Sequence, residues 1–276
     1  MSRSMIQAAV TMNQLQQKLD VIGNNMANSQ TTGYKTREAE FSSLLFQQMN
    51  NMRDPQNAEG RLTPDGIRVG SGARLGAINS NLTQGALTET ERPLDTALLG
   101  KNQLYQIQVT ENDVTETRYT RDGAFFLSPI NGNQDVMLTT KDGHPVLGDN
   151  GPITFADGFD EIKIQPNGEI VVSRGNAEET VGNLATVEAV RPRVLEATGD
   201  NHFRMPDLAA LGYNLADIIQ PTAANESVLK SGALEASNVD ISKQMTDLIN
   251  TQRSYQFNAR SISMGDEMQG LINQLR

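Results

Sequence analysis

The side chains that most often carry chemistry are scarce and scattered in this sequence. Its 276 residues include no cysteine and two histidines. Without cysteine there is no disulfide, no thiolate metal site and no cysteine nucleophile. His144 and His202 are distant in sequence and form no His-x-x-x-His pair. His144 lies in Asp142-Gly143-His144-Pro145, a turn where a solvent-facing side chain is expected rather than a metal ligand. Gly70-Ser71-Gly72-Ala73-Arg74-Leu75-Gly76 approximates a phosphate loop. Its last glycine comes one place too late for the dinucleotide fingerprint, no helix-forming run follows, and there is no Gly-Lys-Ser/Thr, so a bend between strands is expected. Gly-x-Ser-x-Gly is missing as well. The carboxylates fall mostly in turns and on polar faces, where no acid–base pair can be assigned. The residues thus assign no catalytic group, no cofactor site and no metal ligand, and the chain is expected not to be an enzyme.

Charge narrows the partners. A net charge of −10 and a pI near 4.8 repel a phosphate backbone, and no Lys/Arg cluster offsets this, so no nucleic acid is expected. The same sign disfavours an anionic membrane surface. No apolar run approaches the ~18 residues of a membrane span. Residues Met1 to Val10 lack the apolar core of a cleaved secretory signal. Aromatic content of 5% without tryptophan and a mean hydropathy of −0.44 suit an elongated or assembly-dependent protein better than one dense globule.

The apolar residues themselves are placed for contact. Met5, Ala8, Met12, Leu15, Leu19, Ile22 and Met26 recur at alternating spacings of three and four, which predicts an amphipathic helix with a heptad seam. It should stop at Asn28-Ser29-Gln30-Thr31-Thr32-Gly33, where β-branched residues and glycine disfavour helix. Near the C-terminus, Ile241, Met245, Leu248, Tyr255 and Ile262 share one helical face. Phe257, Met264, Met268, Leu271 and Leu275 form a second, shifted stripe. Ser237 with Asp240 offers a capping-type start. Methionine adapts its shape, so seams rich in it suit either core filling or surfaces that must fit several neighbours.

The middle of the chain carries a different signal. Asp122-Gly123, Asn131-Gly132, Asp142-Gly143, Asn150-Gly151, Asp157-Gly158 and Asn167-Gly168 mark tight turns. Between them, Tyr105-Ile107-Val109 and Ile162-Ile164 alternate with polar residues, and 170–172 and 184–190 read as further strands. An antiparallel β-rich domain over 96–220 follows. The Gly/Pro/Asn-rich stretch Gln47 to Gly66 reads as a long loop or linker.

Several longer motifs carry a resemblance. Leu19-Asp20-Val21-Ile22-Gly23-Asn24-Asn25-Met26-Ala27-Asn28, followed by Thr31-Thr32-Gly33-Tyr34-Lys35, closely resembles the N-terminal signature of flagellar rod and hook proteins, with Gly23 where Ala is usual and Tyr34 where Phe is usual. Gln84-Gly85-Ala86-Leu87 with Pro93-Leu94-Asp95, Tyr119-Thr120-Arg121-Asp122-Gly123-Ala124-Phe125, and Leu234-Glu235-Ala236-Ser237-Asn238-Val239-Asp240 with Gln252-Arg253-Ser254-Tyr255 are similar to further elements of that family, in its order. Within the family the chain looks most like the distal rod protein, because Gln47 to Gly66 stands where distal rod proteins carry an extra stretch. A proximal rod protein, a hook-type subunit and a rod-type paralogue of Gram-positive bacteria remain alternatives. A scaffold or adhesin-like binding module is the reading from another class.

The resemblance implies a mixed α and β fold. Long N- and C-terminal helices (1–46 plus 232–276) would pack as a coiled-coil-like axial part. Residues 47–95 would be linker and connecting strands, 96–220 an outer β-rich domain, and 221–231 a return linker. It further implies a structural subunit that self-associates with other rod and hook subunits into a hollow helical shaft carrying torque from motor to hook. Such a subunit leaves the cytoplasm through the flagellar type III export apparatus without a cleaved signal. The expected subunit interface is Met5, Met12, Leu15, Leu19, Ile22, Asn24, Asn25, Met26, Asn28, Ile241, Met245, Leu248, Tyr255, Ile262, Met264, Met268, Leu271 and Leu275. For Asn24, Asn25 and Asn28 two roles stand open: helix-end capping, or amide hydrogen bonds across subunits.

Overall fold

A computed structural model describes residues 3–43, 47–49, 67–69, 73–132, 134–199, 201–208, 212–222 and 229–274. The glycine-rich bend at 70–72, most of the Gln47 to Gly66 stretch and Leu275 lie outside the described residues. The fold is mixed, with a helix near each end and an antiparallel β-rich centre. It divides into two compact units, one of residues 1–26, 37–79 and 241–276, the other of residues 27–36 and 80–240. Residues 27–36, expected with the first helix, therefore group with the β-rich unit.

In the first unit, helix α1 (Arg3–Ala27) runs 25 residues and helix α2 (Ile241–Gln274) runs 34. Strands Arg37–Ser43 and Ala73–Ser80 pair, and Gln47–Met49 pairs antiparallel with Ile67–Val69. The N-terminal helix is shorter than the expected axial part over 1–46: α1 ends at Ala27 and Arg37–Ser43 is a strand, so a coiled-coil-like N-terminal helix is not supported. Along α1, Met5, Met12, Leu15, Leu19 and Met26 are half-buried, and Ala8 and Ile22 are buried. On α2 the least exposed row is Gln244, Leu248, Thr251, Tyr255, Asn258, Ile262, Gly265 and Gln269, again at spacings of four and three. Half of that row is polar. It is not the apolar ladder of a coiled coil, and the expected coiled-coil-like packing does not carry over to it. Among the described residues, contacts near each end of α1 reach α2. Asn25 Nδ2 donates to Gln244 Oε1 at 3.3 Å. At the far end a Cβ on Gly265 would stand 3.0 Å from Met5 Cγ, so the small residue there admits the methionine side chain.

The β-rich unit is built on a six-stranded antiparallel sheet in the order Glu196–Ala197, His202–Arg204, Val114–Thr120, Gln103–Glu111, Thr186–Ala189, Ile219–Pro221. The strand Gln103–Glu111 shows why the sheet has a core on each side. Successive side chains point to opposite faces, so Tyr105, Ile107 and Val109 enter one core with Phe125, Leu138, Ile170 and Val172. Leu104 enters the other with Tyr119, Val187, Phe203 and Ile218. Further three-stranded sheets join Glu161–Ile164, Glu169–Arg174 and Ala177–Asn183, and Thr154–Ala156, Asp135–Thr139 and Phe126–Ile130. Leu229–Ser231 pairs with Thr96–Leu98, and Ala233–Glu235 pairs with Leu87–Glu89.

Five of the six expected turn glycines take positive φ: Gly132, Gly143, Gly151, Gly158 and Gly168. Gly123 does not, and it is required for a different reason. A Cβ there would come within 1.9 Å of Thr96 O. The two-residue hairpin between Gln103–Glu111 and Val114–Thr120 turns on Asn112 and Asp113, both at positive φ without any glycine. Asn and Asp tolerate that region because their short side chains bond locally.

Candidate functional site

The motifs spread along the sequence converge on one buried cluster in the β-rich unit. Glu235 sits at the end of the Ala233–Glu235 strand with its side chain 1% exposed. Its Oε1 accepts from Lys35 Nζ at 2.5 Å and from Gly85 N at 2.7 Å. Its Oε2 accepts from Arg121 Nε at 2.6 Å. Both cationic side chains are fully buried. Lys35 also donates to Thr83 O at 2.7 Å, and Arg121 to Gln103 O, Leu98 O and Gly100 O at 2.6, 3.1 and 2.9 Å. One carboxylate thus bridges two cations, and backbone carbonyls accept further protons from both. Such saturation is what makes buried charge tolerable, since an ion without partners would lose hydration uncompensated. Burial pulls the Lys35 ammonium down from its usual range, and Glu235 opposes that pull.

Backbone contacts close around the same point. Gly33 N donates to Glu235 O at 2.7 Å. Gly33 has φ +65°, and a Cβ there would lie 2.6 Å from Asp122 N. A Cβ on Gly85 would meet Ala236 O at 2.1 Å. Asn238 finishes the junction: its Oδ1 accepts from Thr36 N and Oγ1, while its Nδ2 donates to Asn81 O and Thr83 O. The carboxyl of Asp122 accepts from Thr32 Oγ1 and Ala124 N, both at 3.1 Å. Burial raises it above the usual carboxylate range despite those donors. Tyr105 shares a hydrogen bond with Thr96 Oγ1 at 2.8 Å, and burial pushes its phenol up. Lys35, Arg121 and Glu235 are enclosed and engaged with one another, so this charge centre presents nothing to a substrate. Its chemistry is that of a fastener.

The expected interface residues fall into distinct environments. On α2, Met245, Met264, Met268 and Leu271 are exposed, as are Ile241 and Phe257, whereas Leu248, Tyr255 and Ile262 are half-buried. The second stripe stands open: Phe257, Met264, Met268 and Leu271 are 66, 57, 63 and 60% exposed. At 3.6 residues per turn this stripe lies roughly 140° around α2 from the least exposed row. On α1, Met5, Met12, Leu15, Leu19, Ile22 and Met26 already have much of their surface covered within the chain.

The asparagines separate as well. Asn24 is exposed. Asn28 accepts from Thr31 N and Oγ1, both at 3.2 Å, and closes the turn after α1. Asn25 is 1% exposed. Its Oδ1 accepts from Arg37 N and its Nδ2 donates to Arg37 O, both at 2.9 Å. The amide pairs with that backbone as a neighbouring strand would, and it also donates to Gln244. An intersubunit amide bond from Asn25 does not fit this geometry, because both ends of the amide are engaged inside the chain.

Sequence reading missed the roles of Lys35, Arg121 and Glu235, although each stands inside a motif. The available signal was a charged residue inside each of three motifs, positive at Lys35 and Arg121 and negative at Glu235. The two histidines, distant in sequence, come together: His202 is buried, and the rings of His144 and His202 meet edge to face at 5.6 Å between centroids. Among the described residues no group of three or more His, Asp or Glu could hold a metal ion. Nor is any helix there long and apolar enough to cross a membrane.

Comparison with known proteins gives the cluster its setting. Residues 7–35 match the family described as "Flagella basal body rod protein". Residues 105–172 match "Flagellar hook protein FlgE/F/G D1 domain", and residues 230–275 match "Flagellar basal body rod FlgEFG protein C-terminal". Lys35, Arg121 and Glu235 fall one in each matched segment. The chain is 42% identical to the flagellar hook-basal body complex protein FlhP of Bacillus subtilis, with 100% of both chains covered. It is 34% identical to the flagellar basal-body rod protein FlgG of Agrobacterium fabrum, with 98% of each covered. The B. subtilis FlgG is 31% identical, with 99% of each covered. With matches at both ends and in the centre, and full-length similarity to such relatives, the chain belongs to the flagellar basal-body rod protein family and is a structural subunit, not an enzyme.

Proposed function

We propose that the chain is a distal-type rod subunit that polymerises through its terminal helices into a hollow helical shaft and carries torque from motor to hook. The observation that carries this reading is the open stripe Phe257, Met264, Met268 and Leu271 on α2. Four large apolar side chains in a row on one helix face favour cover by another helix. Copies of this chain and related rod and hook subunits are the partners in this reading. The α1 seam and the open stripe supply surfaces on which ordering and assembly are coupled. Export by the flagellar type III apparatus without a cleaved signal belongs to the same proposal, as do the absence of nucleic-acid partners and of membrane insertion.

The test is a pair of variants, Phe257→Ser and Met268→Lys. Both should leave the melting of the isolated subunit unchanged within about 0.5 kcal/mol, as surface changes do. Basal bodies in cells carrying either variant should lack a complete rod when viewed by electron microscopy. A normal rod in both strains would remove the proposal. The segment missing in cells without the protein separates distal from proximal or hook-type placement.

A further inference from the structure

The Glu235 cluster joins parts of the chain that are far apart in sequence. Glu235 is 200 residues from Lys35 and 114 from Arg121. The segment that delivers Glu235 is built from two short strands, the first anchored by the buried Leu229. Leu229–Ser231 and Ala233–Glu235 are three-residue strands, each paired with one partner strand. Before it seats, enclosing Lys35 and Arg121 would leave two cations with carbonyl partners alone, which is strongly unfavourable. The glycine contacts act in the same direction. Gly33 rests against the Arg121–Asp122 backbone and Gly85 against Ala236, so these close backbone contacts form only when the neighbouring segments are in place.

We propose that residues 229–238 act as a latch. The N-terminal segment 31–36 and the turn at Arg121 become ordered only when Glu235 seats, and they open together with it. A chain whose last residues have not arrived then holds its post-helix segment loose even where the sheets behind it have formed. Closing contacts of such high sequence separation late is what loop entropy favours.

Native-state hydrogen exchange on the full chain tests this, comparing wild type with Glu235→Gln and with Lys230→Gly. The second variant leaves Lys35, Arg121 and Glu235 in place and removes only the Lys230–Glu89 pair and the strand preference of a partly exposed position, so it serves if the first fails to fold. The probes are the amides of Gly33, Thr96, Gly232 and Ala236, each bonded across the junction. Asp160 and Gln165, bonded within the 160–173 region, are controls. The expected result is acceleration of all four probes by one common factor of about tenfold or more, with the controls changing far less. Acceleration of Gly232 and Ala236 alone overturns the latch, because the N-terminal segment would then hold itself. Unchanged probes, or controls accelerating by the same factor, overturn it equally.

Discussion

Asn25 holds the backbone of Arg37 by both its N–H and its C=O, at 2.9 Å each. The first residue of the Arg37–Ser43 strand is thereby tied to the end of α1 by a side chain that imitates a strand. Asn25→Ala leaves both Arg37 groups without that partner, and the expected loss is about 2–4 kcal/mol by thermal or denaturant unfolding. Asn24→Ala should cost less than about 0.5 kcal/mol, because its side chain is exposed. Equal losses in the two variants would contradict this division. A defect in assembly caused by Asn25→Ala then follows from damage inside the subunit.

The junction glycines make a second comparison. Gly85→Ala would force a methyl to 2.1 Å from Ala236 O, a backbone atom that cannot swing aside. A loss of at least about 3 kcal/mol, or failure to fold, is expected. Gly132→Ala meets open space and suffers only its positive φ, worth about 1 kcal/mol. Chemical denaturation of both variants checks the ordering.

Within the charge cluster the three members are not equivalent. Glu235→Gln leaves Lys35 and Arg121 buried with no anion between them, at an expected cost of about 3–5 kcal/mol. Lys35→Met removes one cation and keeps the Glu235–Arg121 pair, so its loss should be smaller. Urea unfolding midpoints at neutral pH decide it, and a larger loss for Lys35→Met would show that Glu235 is not the centre of the cluster.

Asp122 supplies the pH dependence. Burial raises its folded-state pKa above the ordinary value, so the folded protein holds that proton more tightly than the unfolded chain. The stabilisation from protonation is fully present below the unfolded pKa and is lost as pH rises through the folded one. Asn at this position has no charge to bury and can still accept from Thr32 and Ala124. At neutral pH Asp122→Asn should therefore match or exceed the wild type in stability, and the difference should shift toward the wild type on acidification. Unfolding curves at several pH values measure it. A wild-type advantage that grows with rising pH would reverse the sign.

The sequence by itself determined the elements and the class. Heptad spacing gave α1; of the shared face expected on α2, Leu248, Tyr255 and Ile262 are half-buried while Ile241 and Met245 stand exposed. Period-two alternation gave Gln103–Glu111, and Asn-Gly and Asp-Gly pairs gave most turns, because these signals act between near neighbours. It also excluded a thiol chemistry outright. Tertiary structure alone decided which motif residues meet. Lys35, Arg121 and Glu235 have no local pattern, since their pairing depends on segments brought together by the whole β-rich unit. The same holds for the His144–His202 contact and for Gly85 and Gly123, whose missing side chains leave room for a backbone distant in sequence. Asn25 shows the limit most clearly. Its place near the end of a helix fits a cap or an outward contact, and only the position of Arg37 beside it assigns the amide to the chain's own interior.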